Sequence, residues 1–240
     1  MPASSSRVRA LSPFLRDIVF PSSSLLPAAG ASGARPVGLA LKRSFDVAGA
    51  AILLLLLSPV FLILALAVRL DGGPTLYRHM RVGFNDRIFA CLKFRTMAVG
   101  AEQRLSAYLA ANPVAARQWQ ERRKLAHDPR VTRLGKILRA TSLDELPQLL
   151  NVLRGDMSLI GPRPVVREEL EQHYGPAGRL AYAATRPGIT GLWQISGRSN
   201  TTYNERVTLD ITYVSTWSLR LDLMILLRTL PAVLVRRGAK

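Results

Sequence analysis

The sequence predicts an α/β fold, mostly helical with a small β-hairpin. It also predicts attachment to a membrane through an N-terminal re-entrant helix broken at Ser58-Pro59 and through amphipathic interfacial helices. Three observations carry this. Val47 to Val68 is a run of 22 residues without a charge, interrupted by Ser58-Pro59. Ile88, Ala90, Leu92 and Phe94 alternate with Phe89, Cys91, Lys93 and Arg95 just after a Gly83-Phe84-Asn85-Asp86 turn signal. The C-terminal stretch LRLDLMILLRTLPAVLVRR is strongly apolar yet carries Arg220, Asp222 and Arg228.

Residues 1–41 are rich in Ser, Pro, Ala and Gly and read as a flexible tail, with a short interfacial turn allowed around Phe14 to Phe20. No signal peptide is expected, because IVFPSSSLLPAAG is too broken by proline and serine to form an apolar segment. Residues 42–72 form the membrane element. As a helix the uncharged run extends roughly 33 Å, enough to cross a hydrocarbon core, and it is longer than one soluble core needs. Pro59 lacks an N–H and its ring clashes with the carbonyl of Leu55, so the helix bends there, and the Ser58 hydroxyl can satisfy part of the freed backbone. Both flanks are basic, with Lys42 and Arg43 before the run and Arg69, Arg78 and Arg81 after it. Positive flanks stay cytoplasmic, which a straight span fits less well than a helix that enters one leaflet and returns.

Residues 73–240 read as a cytoplasmic domain ending in an interfacial helix. Leu76 to Phe94 is the hairpin, and Lys93 and Arg95 project from one face if the strand reaches Arg95; a solvated face is the plain alternative. Residues 100–125 predict one polar surface helix. Asp128-Pro129 predicts the start of the next, with Asp as N-cap and an apolar stripe of Val131, Leu134, Ile137 and Leu138. Pro147 to Arg154 predicts a helix stopped by Gly155. GDMSLIGPRPVV reads as a rigid loop, and RPGITGLWQISGR as glycine-punctuated and non-helical. Tyr203 to Trp217 predicts a helix with Asp210, Tyr213 and Trp217 on one face. The final stretch suits a helix lying in the membrane interface.

The composition narrows the chemistry. With 33 Lys+Arg against 16 Asp+Glu the formal net charge is +17, which favours nucleic acid, anionic lipid or phosphorylated small molecules as partners. A single cysteine, Cys91, excludes an internal disulfide, and three dispersed histidines make a zinc site improbable. No zinc spacing, aromatic RNA motif or helix-turn-helix signature supports nucleic acid.

Against this basic background stand two adjacent acids, Asp144 and Glu145, after Arg130, Arg133, Lys136 and Arg139. Ser142-Leu143-Asp144-Glu145 matches a capping box, although Pro147 falls where the first internal hydrogen bonds of such a helix would form. The chemical alternative uses the surroundings. Arginines would stabilise an ionised aspartate and lower its pKa, an ionised aspartate can attack phosphorus, and a neighbouring glutamate can hold Mg²⁺ with substrate phosphates.

KRSFDV with the Ser-Pro-broken run, LKFRTM, DPRVTRLGKILRATSLDELPQLLNVLRGDMSLIGPRP, RPGITGLWQISGR and LDITYVSTWSLRLDLMILLRT resemble the bacterial sugar transferases, the monotopic polyprenyl-phosphate phosphoglycosyl transferases. The likeness runs from about Lys42 to Arg237 and looks closest to the short exopolysaccharide-initiating type. It implies transfer of hexose-1-phosphate from a UDP-hexose, galactose or glucose favoured, to undecaprenyl phosphate, with release of UMP. It implies that Asp144 attacks the sugar-linked phosphorus to give a covalent phosphosugar intermediate, that Glu145 holds Mg²⁺, and that Ser58 and Pro59 break the re-entrant helix. The bacterial inner membrane follows, with the catalytic domain on the cytoplasmic side against leaflet lipid. Oligomeric state is open, a homodimer among the readings.

Lys93, Arg95 and Arg139 are candidates for phosphate contacts; Arg163 either binds phosphate or sits in a Pro-Arg-Pro loop that braces the membrane helix. Arg186, Gln194 and Arg198 are candidates for the nucleotide pocket, unless Gly188, Gly191 and Gly197 only shape turns. Asp156 is a supporting acid or a helix-end residue, and Trp193 is core or base-stacking. A membrane-tethered nucleic-acid binder or a non-enzymatic scaffold would leave Asp144→Asn silent.

Overall fold

The computed structural model describes residues 36–122, 125, 127–196 and 202–234. Most of the expected tail, including Phe14 to Phe20, lies outside them. Helix α1 (Pro36–Leu56) begins inside the stretch assigned to that tail, with proline at its first position. Helix α2 (Ser58–Leu70) follows at an angle of 67°. The bend has the expected chemistry. The helical ladder bridges the break through Leu57 N to Leu53 O and Phe61 N to Leu57 O. The Leu55 carbonyl, which the missing Pro59 N–H would have reached, instead accepts from the Ser58 hydroxyl at 2.8 Å. Leu55, Leu62, Ile63 and Leu66 are each more than half exposed, so the pair presents apolar surface away from the rest of the chain. No single helix among the described residues is long and apolar enough to cross a membrane; by length and composition the bent pair together is.

The base of α1 is bolted into the domain by buried polar groups. The Lys42 ammonium donates to Asp222 at 2.8 Å and to the Ile160 carbonyl at 3.0 Å. Asp46 accepts from the Ser158 hydroxyl and the Leu159 amide. Arg43 donates to the carbonyls of Val152 and Leu153, satisfying acceptors left over at a helix C-terminus. The two bases read from the sequence as the positive flank of the run are engaged in packing.

Strands β1 (Leu76–Val82) and β2 (Ile88–Phe94) form the expected antiparallel hairpin, with Tyr77 opposite Lys93 and His79 opposite Cys91. Asn85 and Asp86 in its turn adopt left-handed backbone, which Asn and Asp tolerate best after glycine. The single helix expected over 100–125 is two, α3 (Ala101–Ala111) and α4 (Pro113–Arg122), because Pro113 cannot continue the first. Asp128-Pro129 does not open a helix either. Asp128 turns back to hold the Arg130 amide and guanidinium, and α5 (Arg133–Thr141) starts four residues later under a Thr132 cap that accepts from Gly135 N. Of the expected stripe Leu138 is fully buried, while Ile137 is exposed and Val131 bridges Met97 instead. Helix α6 (Gln148–Arg154) ends, as expected, at Gly155 in the left-handed region.

The two segments read as loops hold a second, parallel sheet of β3 (Ser158–Ile160) and β4 (Gly188–Thr190), and a short helix α9 (Leu192–Ile195). Three-residue strands are too short to show alternation. The strands approach so closely that a Cβ on Gly161 or Gly188 would run into backbone of the other segment. Between them lie α7 (Arg167–His173) and α8 (Gly175–Ala183), for which the sequence reading gave no element. Helix α10 (Tyr203–Ser215) ends before Trp217, so that ring does not share its face with Asp210 and Tyr213; the indole N–H still reaches Asp222 at 3.1 Å. Helix α11 (Leu219–Leu234) buries Leu221, Asp222 and Ile225 and leaves Leu223 and Leu227 exposed. The main core gathers Leu149, Val152, Met157, Leu159, Leu209 and Ile225 around β3.

Candidate active site

Asp144 and Glu145 stand on a single 3₁₀ turn, Leu143–Glu145, wedged between α5 and α6. The turn is not a capping box: Ser142 is the left-handed C-cap of α5, and its side chain makes no cap hydrogen bond. Pro147 delays the next helix, as its missing N–H requires. The turn is anchored by its apolar neighbours. Leu143 and Leu146 pack with Val68, Phe94 and Leu138, beside Phe61 and Leu64 of α2, so the acids are fixed directly against the returning limb of the bent pair.

Lys93, on β2, lies over both carboxylates, 2.6 Å from Glu145 Oε1 and 3.9 Å from Asp144 Oδ2. The two acids nevertheless sit in different electrostatic states. Asp144 is buried, and burial together with the neighbouring Glu145 charge pushes its carboxyl up to about 6 against the pull of Lys93 and Arg139. This corrects the expectation that the surrounding bases would lower it: desolvation outweighs them. Burial also works against ionised Glu145, but the charge and hydrogen bond of Lys93 with the charges of Arg163 and Arg81 prevail, and it is held below the usual carboxylate range.

The structure thus assembles Asp144, Glu145, Lys93, Arg139 and Arg163. Arg139 is steadied by a 2.8 Å bond from its Nε to Thr96 Oγ1. Arg95 donates Nη2 to the Val68 carbonyl near the end of α2, and its buried Nε and Nη1 find no hydrogen-bond partner among the described residues. Of the nucleotide candidates, two lie among the described residues. Arg186 donates to the Gly155 carbonyl and lies 4.9 Å from the Phe84 ring. Gln194 is partly buried on α9, and Arg198 lies outside the described residues. Trp193 is partly buried against the core, with the guanidinia of Arg206 and Arg163 at 4.5 and 5.5 Å. Asp156 accepts from Asn151 at 3.1 Å, as a helix-end support.

Two residues of this cluster were not read as functional from the sequence. Arg81 and His79 occupy the same face of the hairpin as Lys93. The Arg81 guanidinium donates to the Pro164 carbonyl and lies 3.1 Å from His79 Nδ1. Burial, Arg81 and Lys93 lower the His79 pKa, which keeps the ring neutral. Alternation along the first strand, applied as it was along the second, marks both. Asn151, fully buried, was also missed; it bonds Leu92 N, Ala90 O and Asp156 and fastens α6 along the edge of β2.

The sequence profile of the bacterial sugar transferases matches residues 37–236. The exopolysaccharide production protein ExoY of Rhizobium meliloti (strain 1021) is 51% identical over 206 residues, 85% of this chain and 90% of that protein. The undecaprenyl-phosphate galactose phosphotransferase of Salmonella typhimurium (strain LT2) is 46% identical over 199 residues, 83% of this chain and 41% of that longer protein. The UDP-glucose:undecaprenyl-phosphate glucose-1-phosphate transferase of Caulobacter vibrioides is 44% identical over 207 residues, 82% of this chain and 71% of its own length.

Proposed function

The chain belongs to the bacterial sugar transferase family and is an enzyme of the phosphoglycosyl transferase type, and on that premise we propose that it moves hexose-1-phosphate from a UDP-hexose to undecaprenyl phosphate, opening exopolysaccharide synthesis. Galactose and glucose are the favoured hexoses, since relatives are named for each.

The observation that carries the mechanism is the buried Asp144 beside the Lys93–Glu145 pair. An Asp144 carboxylate oxygen attacks the sugar-linked phosphorus, the bond from that phosphorus to the bridging oxygen breaks, and UMP departs with the electron pair. A phosphate oxygen of the lipid then attacks the same phosphorus and the aspartate leaves as a carboxylate. The raised Asp144 pKa suits this, because a more basic carboxylate still ionised at neutral pH is the better nucleophile. Lys93, Arg139, Arg163 and Arg95 hold phosphate charge around the reacting centre.

Glu145, beside the nucleophile, fits Mg²⁺ as a hard oxygen donor. No group of three or more metal-ligating side chains occurs among the described residues, so substrate phosphates would complete its shell. When bound, Mg²⁺ supplies positive charge against the leaving phosphate. The bent pair enters the cytoplasmic leaflet and returns, and the contact of Leu143 and Leu146 with α2 sets the dyad where a lipid phosphate is delivered.

The test is UMP release by detergent-solubilised protein with Mg²⁺, undecaprenyl phosphate and a panel of UDP-sugars, beside Asp144→Asn. Release with one sugar, reduced at least 10³-fold in the variant, is expected. No release with any UDP-sugar from folded protein overturns the reading.

A further inference from the structure

The loop Pro162–Pro164 carries Arg163 and is tied down at nearly every backbone polar group. The Pro162 carbonyl accepts from Gly188 N and the Pro164 carbonyl from Arg81. Val82 N donates to Val165 O at 2.9 Å, joining the loop to the end of β1. One side chain meets three of these strands of chain at once. The hydroxyl of Tyr182, a buried residue of α8, accepts from Val165 N at 3.2 Å and has the carbonyls of Val82 and Arg163 at 3.0 and 3.3 Å as acceptors for its single proton. Its ring is held edge-on by Tyr174, centroids 5.5 Å apart, and the Tyr174 hydroxyl is fixed in turn by buried Asp210 at 2.8 Å. Beyond the loop, the Arg163 guanidinium stands 5.5 Å from Trp193 and close enough to Glu145 to favour its ionised form.

Tyr182 therefore joins α8, which carries it, to the hairpin that bears Lys93 and Arg81 and to the loop that bears Arg163, without touching the dyad itself. We propose that Tyr182 is a positioning residue for phosphosugar transfer: its hydroxyl locks the Pro162–Pro164 loop to the hairpin and so sets Arg163 against the Asp144–Glu145 turn. This rests on the transferase reading above. Taking away the hydroxyl while keeping the ring preserves the packing and removes one partner from the buried Val165 amide, so the loss is felt first at this loop. The consequence is that Tyr182 and Arg163 behave as one unit.

The experiment is a double-mutant cycle on UMP release, with wild type, Tyr182→Phe, Arg163→Ala and the double variant, thermal midpoints recorded in parallel. Tyr182→Phe is expected to lower kcat about tenfold with KM for the UDP-sugar changed less than about threefold. In the Arg163→Ala background the same change should cost nothing further. Equal losses in both backgrounds, full activity of Tyr182→Phe, or full activity of Arg163→Ala overturns the inference while leaving the transferase reading intact. A wild type that releases no UMP overturns the transferase reading and this inference with it. If Tyr182→Phe does not fold, para-fluorophenylalanine at position 182, which fills the space of the hydroxyl without its proton, is carried through the same cycle and judged by the same outcomes.

Discussion

Burial and Lys93 pull the Asp144 carboxyl in opposite directions, and burial prevails. Its value rises from the usual 3.8 to about 6, so the folded protein holds this proton more tightly than the unfolded chain. The contribution to stability is full below pH 3.8 and is lost as pH climbs through about 6, where the buried group must ionise. Asp144→Asn should therefore be more stable than wild type by about 3 kcal/mol at pH 8 and by about half of that at pH 5, the gap closing only toward pH 3.8, read as thermal midpoints across this range. The rate runs the other way. Single-turnover UMP release without lipid acceptor should rise about tenfold per pH unit below 6 and level above it. Lys93→Met removes a charge that favours the ionised form, so the break should move above pH 6; an unmoved break would detach it from Asp144. Lys93 and Arg163, distant in sequence, were marked only by strand alternation and by the Pro-Arg-Pro loop, but the two acids were legible as an adjacent pair on a basic background. Their unequal pKa values were not, since burial depends on Leu143 and Leu146 finding a helix some 80 positions away in sequence.

At the scale of elements, long periodic segments were legible and joints were not. The hairpin and α6 follow from alternation and from Pro and Gly at their ends. The start of α5 was misplaced because Asp128 and Thr132 are both good caps, and only the backbone of Gly135 decides between them. A Cβ on Gly135 would run into the Thr96 carbonyl, so α5 crosses the hairpin end at van der Waals limit there. The parallel sheet escaped notice because its pairing is entirely non-local. Asn151 is the hidden joint between α6 and β2. Asn151→Ala leaves the buried Leu92 amide and Ala90 carbonyl without this partner and should cost about 2–4 kcal/mol in denaturant unfolding, with no change in m-value.

For the whole molecule the question is how the bent helix pair is held to the catalytic domain. The answer in this fold is a buried ionic joint. Lys42, at the foot of α1, meets Asp222 of α11 and the end of β3, and Tyr213 and Trp217 donate to the same aspartate. Lys42→Met would strand Asp222 in the interior and should cost about 3–5 kcal/mol, whereas replacing both by apolar residues should cost much less. A joint of this kind keeps the foot of α1 on the domain side, and the 67° bend turns α2 back toward Leu143 and Leu146 on the same domain. The re-entrant topology proposed above then requires both ends of the pair to lie on one face of the bilayer. Cysteines placed at exposed Leu41 and Leu70, with Cys91 replaced by Ala, should both react with a membrane-impermeant maleimide in inverted vesicles and neither in spheroplasts. Opposite labelling of the two positions would mean a straight span. It would also require either the Lys42–Asp222 joint or the contact of α2 with the dyad turn to be broken in the membrane, since one rigid domain cannot hold both ends from opposite sides.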